Sequence, residues 1–143
     1  VIRGSEDVQE RYLDAATASC ANIIMRVTGD CPLISPELCG EVLAALKREN
    51  ADYASNIEPR TFPKGFDCEV FTYALLQRAV FDDPLVEEDE HVTTWMRTAP
   101  DIKRVNVSSP WPLDGRLTLD TVDDYRVLCA AFGHEPYKHL RAA

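Results

Sequence analysis

Two aspartates stand where chain chemistry often concentrates. Asp30 follows the mostly apolar run Asn22–Thr28 (NIIMRVT), within Gly29-Asp30-Cys31-Pro32. Asp120 follows the alternating run Arg116–Leu119 (RLTL), just before Thr121-Val122-Asp123-Asp124. Each sits where a strand should pass into a helix. A carboxylate there offers a hard oxygen to Mg²⁺, which takes few protein carboxylates and fills its shell with water and phosphate. Simpler roles also exist. Asp30 can be a polar turn residue before Pro32, and Asp120 or Thr121 can cap a helix whose first turn holds Asp123 and Asp124.

A second group lies between them. Ile57–Asp67 (IEPRTFPKGFD) holds two prolines and a glycine between apolar segments and is expected to be a structured loop. Arg60 can grip a carboxylate or phosphate as a fork, and Lys64 as a point charge. Gly65 permits a tight turn. Asp67 can bind hydroxyls or orient a base, and Asn56 ends the preceding strand. The alternative is a solvated basic loop. His91, beside Glu90, can titrate near neutral pH, or can be a satisfied structural histidine.

The elements that must position these groups follow from periodicity and caps. A strand is expected at Val1–Arg3. A helix then runs from Glu6 to near Ser19, with Ser5 as its cap. Asn22–Thr28 reads as a strand buried on both faces. Ser35-Pro36-Glu37 opens a helix that runs to about Asn50. Strands are expected at Asp52–Asn56, Cys68–Phe71, Arg104–Val107 and Arg116–Leu119. Helices are expected at Tyr73–Phe81 with Thr72 as cap, at Glu87–Thr98, and from Val122 to about Phe132, stopped by Gly133. Strands alternating with helices predict an α/β fold with a mainly parallel sheet. The ligand crevice of such a sheet lies beyond the carboxyl ends of its strands, which selects Asp30 and Asp120.

The 143 residues suit one domain, with residues 133–143 as an exposed tail. Hydrophobic residues make up 45% and charged residues 27%, which excludes a disordered chain. The net charge of −9 argues against a nucleic-acid-binding face. No apolar run approaches the ~20 residues of a membrane span. The five cysteines form no CxxC pair, so neither a zinc site nor a disulfide framework is expected, and the cytoplasm is the expected compartment.

Five segments in order carry a resemblance: VIRGSEDVQERY, RVTGDCPLI, EPRTFPKGFDCEVF, EHVT and LTLDTVDDY. Together they resemble the cytidylyltransferases of spore-coat polysaccharide biosynthesis, which are related to the synthetases of CMP-KDO and CMP-sialic acid. The resemblance covers Val1 to about Phe132. It implies a nucleotide-diphosphosugar transferase fold, Rossmann-like, with a mixed, mainly parallel sheet and flanking helices. It implies attack of a sugar or sugar-acid hydroxyl on CTP with release of pyrophosphate, a need for Mg²⁺, and a homodimer. Asp30 and Asp120 become the implied metal ligands and, with Lys64, the catalytic group. Arg3, Ser5, Asn56, Arg60, Gly65, Asp67, Glu90 and His91 become the implied substrate contacts.

Two departures qualify the resemblance. Val122 replaces a proline of the family motif, which removes rigidity but no ligand. The family's N-terminal loop of the form LAxRxxSxRLPGK has no counterpart here. The expectation is therefore that the nucleotide side of the centre, with the first strands, lies outside these residues, and that the chain alone is inactive. The competing functions are a non-catalytic remnant that binds a sugar or a partner chain, and a glycosyltransferase of similar fold. RVTGDCPLI favours the cytidylyltransferase over the latter.

Overall fold

A computed structural model of the chain describes residues 7–82 and 92–134. Arg3, Ser5, Glu90 and His91 lie outside the described residues. So do the expected strand at Val1–Arg3, the start of the helix expected at Glu87–Thr98, and residues 135–143 of the expected tail.

Helix α1 (Val8–Ala18) is capped by Asp7, whose carboxylate accepts from the backbone N–H groups of Gln9 at 2.7 Å and Glu10 at 3.2 Å. An aspartate two residues on therefore caps the helix expected to start from Ser5. Strand β1 (Ile23–Arg26) leads to α2 (Pro36–Glu49). There Ser35 caps, Pro36 occupies the first turn, and Asn50 closes the helix in the left-handed conformation. Strand β2 (Tyr53–Ser55) follows, then β3 (Glu69–Thr72) runs directly into α3 (Tyr73–Asp82). The Thr72 hydroxyl accepts from the Leu75 N–H at 3.2 Å, as expected of a cap. Helix α4 (Thr94–Thr98), β4 (Arg104–Asn106) and α5 (Val122–Ala131) complete the order. Thr121 and Asp124 form a reciprocal capping box on α5, and Gly133 lies just beyond it at φ +66°.

The strand order is β1-β3-β2-β4. β3 pairs antiparallel with both β1 and β2, while β2 and β4 are parallel. The α/β class and the mixed sheet stand, although among the described strands β2 with β4 is the one parallel pairing of three. The reason is connectivity: the chain returns from β2 to β3 through the loop at 57–67 with no helical crossover, and so comes back antiparallel.

Period-two alternation divides the core. Tyr53 and Phe71, paired in register, face a cluster with Leu76, Val92 and Met96. Ala54 and Val70, the next pair, face Val42 and Leu46 of α2. Helices thus cover both faces. Burial on both faces belongs to β2 and β3, the central strands. β1 was expected to be buried likewise, but among the described strands it lies at the sheet edge, and Met25 is 40% exposed.

Arg116–Leu119 is extended but is not a strand. Among the described residues its only ladder contact is a single parallel bridge between Arg116 and Lys64. Its other backbone bonds go to loops, because no described strand runs beside it. Among the described residues, no helix is long and apolar enough to cross a membrane.

Candidate functional site

Three adjoining depressions form the site. The central one, about 450 Å³, is lined by Arg26, Thr28, Asp30, Arg60, Asp67, Glu69, Thr93 and Arg97, among others. On one side it meets a cleft of about 350 Å³ through Thr28, Asp30, Arg60 and Asp67. Lys64, Arg116, Thr118 and Asp120 complete that cleft. On the other side Arg97 is shared with a smaller hollow of about 190 Å³.

The structure brings Asp30 and Asp120 to one cleft. Their backbones meet: the Leu119 N–H donates to the Asp30 carbonyl at 2.7 Å. Asp30 is half-buried and Asp120 exposed. The Asp120 carboxylate is held by two donors, Arg116 Nη2 at 2.5 Å and the Thr118 hydroxyl at 2.9 Å. Arg116 also reaches Asp124 at 3.3 Å. Asp124 serves as the helix-start acid expected of it. Its carboxyl lies below the usual range because it accepts from the Thr121 side chain and from the Asp120 backbone.

The loop wall is built by close contact. Lys64 N–H donates to Gly115 O at 3.0 Å, and Leu117 N–H donates to Lys64 O at 2.7 Å. Between these bonds Gly65 adopts φ +106°, and a Cβ there would lie 2.7 Å from the Leu117 carbonyl group. Gly65 therefore joins two backbones. Arg60 and Asp67 form a two-pronged pair at 2.6 and 2.8 Å, so each engages the other across the loop.

Asn56 sits behind this wall. It is 1% exposed; its amide donates to Phe66 O at 2.7 Å and accepts from Cys68 N–H at 2.9 Å. Both ends of the amide are occupied by the loop it closes. Asn106 plays a similar part, accepting from the Glu58 N–H at 3.1 Å and donating to Pro59 O at 3.1 Å. Burial pushes the Cys31 thiol up, which leaves it a poor nucleophile at neutral pH.

The sequence did not single out Arg26, Tyr53, Glu69 or Arg97. Glu69 is 3% exposed and accepts from Arg26 Nη1 at 2.5 Å and from the Tyr53 hydroxyl at 2.5 Å. These contacts satisfy a charge at the floor of the central depression. The signal was available: a glutamate inside the run Cys68–Phe71 needs a buried partner.

A metal or phosphate would meet a suitable donor set here. Asp30 and Asp120 supply two hard oxygen donors, with Lys64 and Arg116 lining the same cleft. Among the described residues no group of three or more His, Cys, Asp or Glu could hold a metal ion. Two carboxylates with the remaining positions open suit Mg²⁺ carrying phosphate better than a metal held wholly by protein.

The chain is similar over most of its length to proteins of known sequence or structure. It is 32% identical over 138 residues to the spore coat polysaccharide biosynthesis protein SpsF of Bacillus subtilis, covering 92% of this chain. It is 34% identical over 132 residues, 89% of this chain, to the uncharacterized protein MJ1063 of Methanocaldococcus jannaschii. Its fold matches a solved cytidylyltransferase from Leptospira borgpetersenii with a TM-score of 0.84, at 33% identity over 92% of this chain. Together these matches support assignment of the chain to the cytidylyltransferase family. It spans 56% of SpsF, 53% of MJ1063 and 58% of the solved cytidylyltransferase chain. No family model matches it. The conjunction of Asp30 with Asp120 is a feature of this chain's own geometry.

Proposed function

We propose that the protein carrying this chain transfers a cytidylyl group from CTP to a hydroxyl of a sugar or sugar acid. The sugar oxygen attacks the α-phosphorus, the bond to the β-phosphate breaks, and pyrophosphate leaves. The observation that carries this reading is the convergence of Asp30 and Asp120 on one cleft in a chain of cytidylyltransferase fold. Asp30 and Asp120 would hold Mg²⁺, whose chemistry is to neutralise charge on the phosphoryl oxygens. Lys64 is exposed at the rim of that cleft, in reach of a phosphate as a point charge. The Arg60–Asp67 pair forms the wall beside the sugar, with Asp67 presenting acceptors for hydroxyls. SpsF is named for spore coat polysaccharide biosynthesis, which supports a surface polysaccharide as the destination of the activated sugar.

Pyrophosphate release from CTP, measured with the full-length protein, Mg²⁺ and a panel of sugars, tests this. Release that depends on both CTP and one sugar class is expected. No release with any nucleotide, despite Mg²⁺-dependent nucleotide binding, would overturn it.

A further inference from the structure

One guanidinium stands between two carboxylates at the edge of the Asp120 cleft. Arg116 Nη2 lies 2.5 Å from Asp120 Oδ2 and 3.3 Å from Asp124 Oδ2. Its Nε donates to the Thr118 hydroxyl at 2.8 Å, and that hydroxyl donates to the same Asp120 oxygen at 2.9 Å. The two acids are held differently. Asp124 Oδ2 also accepts from the backbone N–H groups of Asp120 at 3.1 Å and Thr121 at 2.8 Å, so the entry of α5 fixes it. The donors to the Asp120 carboxylate are side chains, Arg116 and Thr118. The backbone around them is anchored. Gly115 and Leu117, on either side of Arg116, bond to Lys64, and Leu119 bonds to Asp30. What can turn is the guanidinium and the Asp120 carboxylate. These side chains are 52% and 48% exposed, and an ion pair so exposed is weak enough for a divalent cation to displace.

We propose that Arg116 is a positioning residue: it is the resident counterion of Asp120 and passes to Asp124 when a divalent cation takes the Asp120 carboxylate. This rests on the cation assigned to Asp120 in the reading above and adds two residues that the reading does not use. Before the cation binds, the guanidinium offsets the charge that Asp120 brings to a cleft also lined by Asp30 and Asp67. Once the cation binds, Arg116 is not stranded beside it, because Asp124 is within a short swing and Thr118 still holds Nε. Asp124 thus governs metal affinity without touching the metal. It draws Arg116 off Asp120 from a fixed anchor, the capping box that starts α5.

The test uses Mn²⁺, which favours the same oxygen ligands as Mg²⁺. Its free fraction is read by electron paramagnetic resonance as it is titrated into the full-length protein without nucleotide. Arg116→Gln should bind Mn²⁺ about two- to fivefold more tightly, the range that an exposed ion pair supplies. Asp124→Asn keeps an acceptor for the cap and should weaken binding by a similar factor, because Arg116 loses its second partner. With Arg116→Gln already in place, Asp124→Asn should have little further effect. Equal weakening by Asp124→Asn in both backgrounds would make Asp124 a plain anion or a ligand, and overturns the inference. Unchanged or weaker binding in Arg116→Gln overturns it too, as does an unaltered protein that binds no Mn²⁺. Should Asp124→Asn fail to fold, the side-chain nitrogen resonances of Arg116 decide. On addition of Mg²⁺ they should move more than those of Arg60, which lines the same cleft but is paired with Asp67. Movement no larger than that of Arg60 overturns the inference. Pyrophosphate release from a protein whose metal affinity is indifferent to Arg116 would defeat this inference and leave the transfer reading intact. The expected cycle in a protein that releases pyrophosphate from no nucleotide would do the reverse.

Discussion

The Leu119 N–H donates to the Asp30 carbonyl oxygen at 2.7 Å, between residues 89 positions apart in the sequence, from 30 to 119. One backbone bond therefore fixes the spacing of two junctions, because Asp120 is the next residue. Neither carboxylate needs a flexible approach to the other's cleft.

That geometry makes the two acids separable from the fold. Asp30→Asn and Asp120→Asn should each abolish Mg²⁺-dependent turnover while the thermal melt stays close to that of the parent. Arg116 competes as a cation for Asp120, which it holds at 2.5 Å. Arg116→Gln should therefore tighten Mg²⁺ binding measured by calorimetry without nucleotide. Weaker binding in that variant would show that Arg116 orients Asp120 rather than occupying it.

The buried group around Glu69 should dominate local stability. Removing the acid in Glu69→Ala leaves Arg26 without its counterion at a site where the two side chains are 4% and 16% exposed, and should cost about 3–5 kcal/mol. Tyr53→Phe removes one bond to a charged group and should cost about 1.5–3 kcal/mol.

Tyr53 also predicts an alkaline response. Burial, then the charge and hydrogen bond of Glu69, push its phenol far above the ordinary value. The folded state keeps a proton that the unfolded chain releases near pH ~10. The stabilisation is full below that pH and is lost as pH rises beyond it toward the folded value. Urea midpoints at about pH 9 and about pH 11 should diverge more in the parent than in Tyr53→Phe. Equal divergence would assign the alkaline loss to other groups.

Gly65→Ala tests the loop. The alanine Cβ would stand 2.7 Å from the Leu117 backbone, at a φ of +106°. Backbone strain of this kind costs about 1–3 kcal/mol, and the clash adds to it. A lowered melting temperature with weakened sugar binding is expected. An unchanged melt would mean that residues 115–118 move aside freely.

What the sequence disclosed was mostly local. Ser35-Pro36 and Thr121 with Asp124 announced their helices because a cap acts within one turn. The expected strands fell within a residue or two of β2, β3 and β4, whereas the alternation at Arg116–Leu119 made no strand. Pairing direction was not legible, since β3 inserts between β1 and β2 only through a chain reversal that periodicity does not encode. The Arg26–Glu69 pair spans 43 residues and had no local signature beyond an acid in an apolar run. Asn56 shows the limit from the other side. A polar residue at a strand end suggested ligand contact, whereas its amide lies at 1% exposure and closes the neighbouring loop.

That closure has a wider consequence. Residues 57–66 are fastened by the side chains of Asn56 and Asn106, by the Arg60–Asp67 pair, by Thr61, which accepts from the Ser109 and Leu113 N–H groups, and by the Lys64 bridge, and among the described residues by no strand of the sheet. The fold thus treats the wall of its cleft as an interchangeable cassette. Substitutions among the untethered loop positions can retune which ligand is accepted while the layers behind them keep their packing.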